Sequence, residues 1–279
     1  MGDKTIHFTL DLEADLGTAA PVKTYEAAGQ TGRLVEIAAR LALPLTVFCE
    51  GEILEKHFAA VEPLLAYGAE IELHAYDHTA AYAGAARRMD NLRAGLAAYQ
   101  ARFGRAPRGF RAPNGMIAAP ELRALGERGV EYDSSIFPTR FPGRFDFRRA
   151  PRRPFRVAGT PLVELPFATI DRLRVPIALS YFQLLGPTAF KALVARFGAP
   201  DEIVFDFHMH DLVHGDWRKR PGVSRAARLG YWRAQAMADP AAALIDAVRF
   251  FTARGYRPEP LSALAARCRA AALPEAELA

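Results

Sequence analysis

Cysteine is nearly absent from this 279-residue chain: Cys49 and Cys268 are the only two, and they form no C-x-x-C pair. That excludes a disulfide framework and a thiolate metal site. Cys49 follows Leu45, Thr46, Val47 and Phe48, and reads as a buried strand thiol. Also missing is any window of about 18 apolar residues, the length a membrane-spanning helix needs. The N-terminal run MGDKTIHFTLDLEADLG lacks the charged-then-apolar pattern of a secretion signal, so the expectation is a cytoplasmic protein. A third absence concerns nucleic acid: there is no helix-turn-helix signature, no RNP-type aromatic motif and no cysteine-histidine finger spacing, and no nucleic-acid partner is expected.

What the chain does have is apolar substance, with 51% hydrophobic residues, enough to bury a sizeable core in one large α/β domain spanning 1 to 279. Apolar runs bounded by turn residues alternate with segments of helical period, the pattern of β-α units around a parallel sheet. Strands are expected at 5 to 11, 44 to 49, 69 to 74, 107 to 111, 130 to 133, 162 to 166 and 202 to 209. Helices are expected at 30 to 42, 51 to 67, 87 to 103 and 119 to 128. Seven strands in that rhythm favour a barrel, with a core over about 5 to 212 and a helical C-terminal segment over about 224 to 270, punctuated by Pro240 and Pro258. The formal charge is +5, and the basic excess concentrates in a Pro-rich stretch holding Arg140, Arg144, Arg148, Arg149, Arg152, Arg153 and Arg156, opposed only by Asp146. It reads either as a solvated loop or as a rim facing phosphate, such as that of a sugar nucleotide or lipid-linked sugar diphosphate.

Chemistry enters at Glu70-Ile71-Glu72-Leu73-His74-Ala75-Tyr76-Asp77-His78, a strand-like run that ends in two histidines four residues apart. In a tight turn that spacing brings both imidazoles to one side, where they can share a cation such as zinc. The missing oxygen donor is available in Phe8-Thr9-Leu10-Asp11-Leu12-Glu13-Ala14-Asp15, three carboxylates at alternating positions after an apolar strand. Asp11, Glu13, His74, His78, Arg111 and His208 all fall at or just past the C-terminal ends of expected strands. In parallel β/α barrels that face carries the chemistry.

The order of these motifs resembles the polysaccharide deacetylases with the NodB homology domain, carbohydrate esterase family 4, over residues 5 to 212. Leu10-Asp11-Leu12-Glu13 looks like the D-x-E form of the family's first motif, which implies Asp11 as general base and Glu13 as metal carboxylate, with Asp15 an alternative ligand. His74-Ala75-Tyr76-Asp77-His78 resembles H-[ST]-x-x-H and keeps both metal histidines; Ala75 stands where a zincin would carry its glutamate. Arg111-Ala112-Pro113-Asn114-Gly115 resembles R-x-P-[YF]-G, which implies Arg111 orienting Asp11 and the Asn114 backbone amide contributing to an oxyanion site. Tyr132-Asp133-Ser134-Ser135 resembles a Y-D-x-S segment that shapes the groove wall. Phe207-His208-Met209-His210-Asp211-Leu212 resembles a last motif written H-P-W-E-L, which selects His208 as general acid, with His210 a rival on the same strand face. Tyr181-Phe182-Gln183-Leu184-Leu185 resembles a Y-F-R-L-L run of the same branch.

The resemblance implies a distorted (β/α)7-type barrel and hydrolysis of the N-acyl amide of an amino sugar or its conjugate. One divalent metal, zinc first, with cobalt, nickel or iron as substitutes, would be held by Glu13, His74 and His78. Asp11 would deprotonate the attacking water and His208 would protonate the leaving nitrogen. His74-Ala75-Tyr76-Asp77-His78 also resembles H-A-W-D-H of deformylases that act on lipid-linked formamido sugars, which makes a lipid-linked substrate and peripheral contact with a membrane surface the alternative. Ring-opening of a cyclic amide, which relatives of this fold also perform, is a third option, and a catalytically silent sugar-binding scaffold of the same fold is an alternative of a different class.

Overall fold

The computed structural model describes residues 3–15, 23–141, 145–215 and 236–277. Its centre is strand β1 (Thr5–Leu12), in which every residue is buried. A strand with both faces covered belongs in the middle of a parallel sheet, and β1 pairs in parallel with β2 (Leu45–Cys49) on one side and with β10 (Glu202–His208) on the other. From β2 the sheet continues in parallel through β3 (Glu70–Leu73), β4 (Gly109–Phe110), β5 (Tyr132–Asp133) and β9 (Val163–Glu164). Strand β8 (Phe155–Val157) then joins β9 antiparallel, and β12 (Glu275–Ala276) closes that edge. The segment after β9 returns toward β10, where Ala168 N donates to Val204 O at 3.3 Å and Ala178 bridges Asp206. These seven parallel strands give the mixed α/β domain that the sequence pattern predicts, in the manner of a distorted barrel. No ladder joins β9 to β10 among the described residues.

Each expected strand is present, several shorter than expected. Three of the four expected helices are present within two residues at each end: α1 (Thr31–Leu41), α4 (Ala85–Phe103) and α5 (Ala119–Glu127). The expected helix over 51 to 67 is instead α2 (Gly51–Lys56), a 3-10 turn at Phe58–Ala60 and α3 (Glu62–Tyr67). Pro63 lacks the amide an unbroken helix needs, and it sits in the first turn of α3, where that amide has no intrahelical partner anyway. Two helices were not anticipated, α6 (Leu179–Leu185) and α7 (Pro187–Phe197), nor was the hairpin of β6 (Arg140–Phe141) and β7 (Phe145–Asp146) inside the arginine-rich stretch. The expected C-terminal helical segment begins outside the described residues, at 224 to 235. Its remainder is two helices, α8 (Ala242–Thr252) and α9 (Leu261–Ala270), separated by a short strand β11 (Arg257–Pro258) that pairs with β1. No helix among the described residues is long and apolar enough to cross a membrane.

Candidate active site

Because β1, β2, β3, β4 and β10 run in the same direction, their C-terminal ends share one rim, and the turns leaving them carry the polar groups. The register sets Asp11 of β1 beside His208 of β10, and Leu73 of β3 beside Phe110 of β4. His74 and Arg111 follow those last two residues directly. Residues almost 200 positions apart in sequence are thereby neighbours.

Arg111 organises the floor. It is 1% exposed, with its guanidinium packed between the rings of Phe48 and Phe167 at 4.1 and 4.4 Å. Nη1 donates to Asp11 Oδ1 at 2.7 Å and to Asp206 Oδ1 at 2.8 Å, while Nε and Nη2 donate to Ser134 O and Ser134 Oγ. A planar fork with fixed donors is what such four-way recognition requires. Burial, and next the neighbouring Asp11, raises the Asp206 carboxyl well above the usual carboxylate range. The Tyr132-Asp133-Ser134-Ser135 segment thus supports the arginine loop, since Ser135 Oγ also accepts from Ala112 N at 2.8 Å.

Above Arg111 the two histidines converge on Glu13. His74 Nδ1 lies 2.8 Å from Arg111 O and His78 Nδ1 lies 2.8 Å from Glu50 Oε1. Both partners are acceptors, so each Nδ1 carries the proton and each Nε2 presents a lone pair. Those lone pairs face Glu13 Oε2, at 3.5 Å from His74 and 2.7 Å from His78. His74 Nε2 is buried without a hydrogen-bond partner. Three electron-pair donors aimed at one point repel one another unless a cation or a proton lies among them. The titration tendencies say the same: although burial opposes it, Glu13 and then Glu50 raise His78 to about 10, and His78 and His208 outweigh burial to hold Glu13 well below the usual range. One carboxylate oxygen and two imidazoles within 4.8 Å of one another fit a divalent ion of the zinc type.

Asp15 does not join them. Its carboxylate accepts from Thr24 Oγ, Glu26 N and Ala27 N, so it closes the loop after β1, and Glu13 is the carboxylate turned to the histidines. His208 stands on the far strand with Nδ1 3.2 Å from Asp211 Oδ2, which also accepts its backbone amide. Its Nε2 lies 4.0 Å from Asp11 Oδ2, 3.9 Å from Glu13 Oε1 and 4.0 Å from Asp206 Oδ2. Burial would lower this imidazole, but Glu13, Asp206 and Asp211 together raise it well above its ordinary value. His210 stacks on His208 with centroids 4.7 Å apart, and burial, then the charge of His208, lowers it to about 4. Asn114 adopts the left-handed conformation, φ 56°, within the 3-10 turn at Pro113–Gly115, a conformation asparagine tolerates better than the aromatic residue expected there.

Three contributors were missed from sequence: Asp206, Asp211 and Glu50. Asp206 lies two residues before His208 on the same strand face, and Glu50 directly follows β2, so the strand-end rule could have found both. Gln183, inside the Tyr181-Phe182-Gln183-Leu184-Leu185 run, donates to Asp211 O and so steadies the His208 turn. The arginine-rich stretch is partly committed within the fold. Arg148 binds Asp146, Arg152 binds Thr169 and Asp171, and Arg156 donates to Arg269 O and Ala271 O. Arg144 lies outside the described residues.

The family model for polysaccharide deacetylase matches residues 2–132. Among solved structures, a putative polysaccharide deacetylase from Mycobacterium smegmatis is similar at 21% identity over 100% of this chain and 95% of that one, with a TM-score of 0.61. A probable polysaccharide deacetylase from Pseudomonas aeruginosa is similar at 19% identity, over 94% of this chain and 89% of that one, with a TM-score of 0.56. A carbohydrate esterase family 4 pseudoenzyme from Bacillus anthracis shares the fold at 12% identity, over 95% of this chain and 66% of that one, with a TM-score of 0.55. No curated protein sequence matches. With the motif order and the rim geometry beside these likenesses, residues 2–132 match the polysaccharide deacetylase family and the chain as a whole shares the fold of solved structures described as polysaccharide deacetylases.

Proposed function

We propose that residues 1 to 279 form one deacetylase domain that hydrolyses the N-acyl amide of an amino sugar or its conjugate, with a divalent metal held by Glu13, His74 and His78. The observation that carries this is the convergence of the two Nε2 lone pairs on Glu13, with Asp11 Oδ2 3.9 Å from His74 Nε2 and His208 Nε2 3.9 Å from Glu13 Oε1. A bound divalent cation would polarise an amide carbonyl and acidify an adjacent water. Arg111 occupies Asp11 Oδ1, which leaves Oδ2 to take the proton of the attacking water. His208, its Nδ1 tied to Asp211, directs Nε2 and its proton toward the same space, where a departing nitrogen would receive it. Zinc suits this donor set first, and cobalt, nickel or iron would substitute.

Elemental analysis of protein loaded with zinc and desalted is the test. Wild type should retain close to one metal per chain and a His74→Ala, His78→Ala double variant close to none. Asp11→Asn should retain the metal and lose release of acetate from an N-acetylated amino sugar. Turnover surviving in Asp11→Asn would remove that residue as the base. Formate release from a lipid-linked formamido sugar, in place of acetate, would select the deformylase alternative. A pseudoenzyme with this fold favours a silent scaffold as the second reading, and wild type that binds no metal would select it.

A further inference from the structure

Glu50 is 0% exposed, at the first position after β2, and none of the motifs read above contains it. A carboxylate in such a place needs donors, because burying an unpaired charge is costly. It has two and shares a third. Oε1 accepts from His78 Nδ1 at 2.8 Å and Oε2 accepts from the backbone amide of Ala14 at 3.1 Å, while the hydroxyl of Tyr25 lies between Glu50 Oε2 at 3.2 Å and Glu52 Oε2 at 2.9 Å, with one proton for the two. Ala14 immediately follows Glu13. One side chain therefore grips the neighbour of one candidate ligand and the ring of another.

The backbone around it makes the same connection. Glu50 N donates to Leu12 O at 3.1 Å, at the last residue of β1, while Gly51 N and Glu52 N donate to Ala75 O and Tyr76 O, inside the loop between the two histidines. The end of β2 is a tie bar between the Glu13 turn and the His74 to His78 loop. The two imidazoles are nonetheless held differently: His74 Nδ1 meets a neutral carbonyl, and His78 Nδ1 meets a carboxylate. A carboxylate behind an imidazole fixes its tautomer and ring plane and makes the opposite nitrogen a better donor.

We propose that Glu50 is a positioning residue of the metal centre, setting two of its three ligands at once: His78 through its ring and Glu13 through the Ala14 amide. This rests on the metal-binding role proposed for Glu13, His74 and His78. Other buried acids near the site serve elsewhere: Asp206 answers Arg111 and Asp211 answers His208. Glu50 alone among them meets a metal-ligand imidazole.

Competition of zinc against a chromophoric chelator tests the proposal. Glutamine is isosteric, but its amide oxygen can serve only one of the two donors, and its NH2 group then faces the other. Glu50→Gln should bind zinc roughly ten- to a hundredfold more weakly than wild type, and its cobalt(II) form should show an altered visible absorption spectrum. Wild-type affinity and an unchanged cobalt spectrum in Glu50→Gln, with wild type itself holding one zinc, would overturn the proposal and leave the metal site standing. Wild type that binds no zinc would remove both. Should Glu50→Gln fail to fold, zinc-loaded wild type decides by nitrogen-15 NMR: His78 must be protonated at Nδ1, and the opposite tautomer overturns the assignment.

Discussion

Adding one methyl group at Gly95 should damage a site to which that residue contributes no side chain. Gly95 lies within α4, and a Cβ built on it would sit 2.5 Å from the carbonyl carbon of Ala75, 2.8 Å from its oxygen and 2.8 Å from Tyr76 N. Ordinary contact begins at 3.4 Å, so roughly 0.9 Å must open against backbone that is held on several sides. Ala75 already sits at φ 54°, and the loop is held by Gly51 N, by Glu52 N and by Asn91, one turn before Gly95, whose Oδ1 accepts from Tyr76 N. In an unconstrained helix the Gly→Ala change would stabilise by about 1 kcal/mol. Overpacking a filled interface costs about 1 to 3 kcal/mol, so net stability should fall by about 0 to 2 kcal/mol. The functional loss should be far larger, because the displaced backbone carries His74 and His78, and a ~1 Å misplacement of catalytic groups costs on the order of 100-fold. Gly95→Ala should therefore retain most of its thermal stability yet hold zinc poorly and lose roughly 99% of turnover. A variant more stable than wild type, with unchanged zinc affinity, would refute the claim that this helix sets the histidine loop.

Arg111→Lys keeps a positive charge but cannot reach Asp11, Asp206 and both Ser134 oxygens together; losing the two Ser134 hydrogen bonds should cost about 2 kcal/mol, seen as a lower melting temperature. An unchanged melting temperature would show that the fork geometry is dispensable. His7 is buried, with Nδ1 donating toward Glu259 O and Pro260 O and Nε2 3.2 Å from Thr5 Oγ, and burial lowers it from 6.5 to about 4. Between those values the unfolded chain binds the proton and the native one does not, so stability falls as pH drops from about 6.5 to 4, by about 3 kcal/mol in total, and the contribution is flat outside that window. Urea unfolding of wild type and His7→Gln at pH 7 and pH 4 checks this; equal pH dependence in the two would discard the assignment.

Much of the architecture was legible because it depends on local pattern. The seven apolar runs are buried strands whose neighbours are also strands, and Asp11, His74, Arg111 and His208 could be placed on one rim from strand direction alone. What escaped depends on tertiary pairing. Leu179, Phe182, Phe190 and Val194 have helical spacing and are buried in α6 and α7, yet a break at Gly186-Pro187 splits the pattern into two short pieces. Strand β11 has only two residues, one of them a proline, and only its docking on β1 makes it a strand. The arginine-rich stretch looked like a free basic loop because the acceptors of Arg152 and Arg156 lie 17 and 113 residues away. Choosing between Glu13 and Asp15 likewise required seeing which carboxylate the loop after β1 consumes.

The pairing of β1 with β10 has a consequence for how the protein is made. Thr5 lies beside Glu202, so a strand buried along its whole length waits for its second neighbour until almost 200 further residues have been synthesised. At about 5 to 20 residues per second that is roughly 10 to 40 s. Throughout that interval one edge of an apolar strand has no β10 to cover it, and such an edge is a template for association with other chains. Solubility during synthesis, more than stability once folded, is where this topology is exposed, and a chaperone that shields the nascent N-terminal third should raise the yield of native protein more than any added core contact.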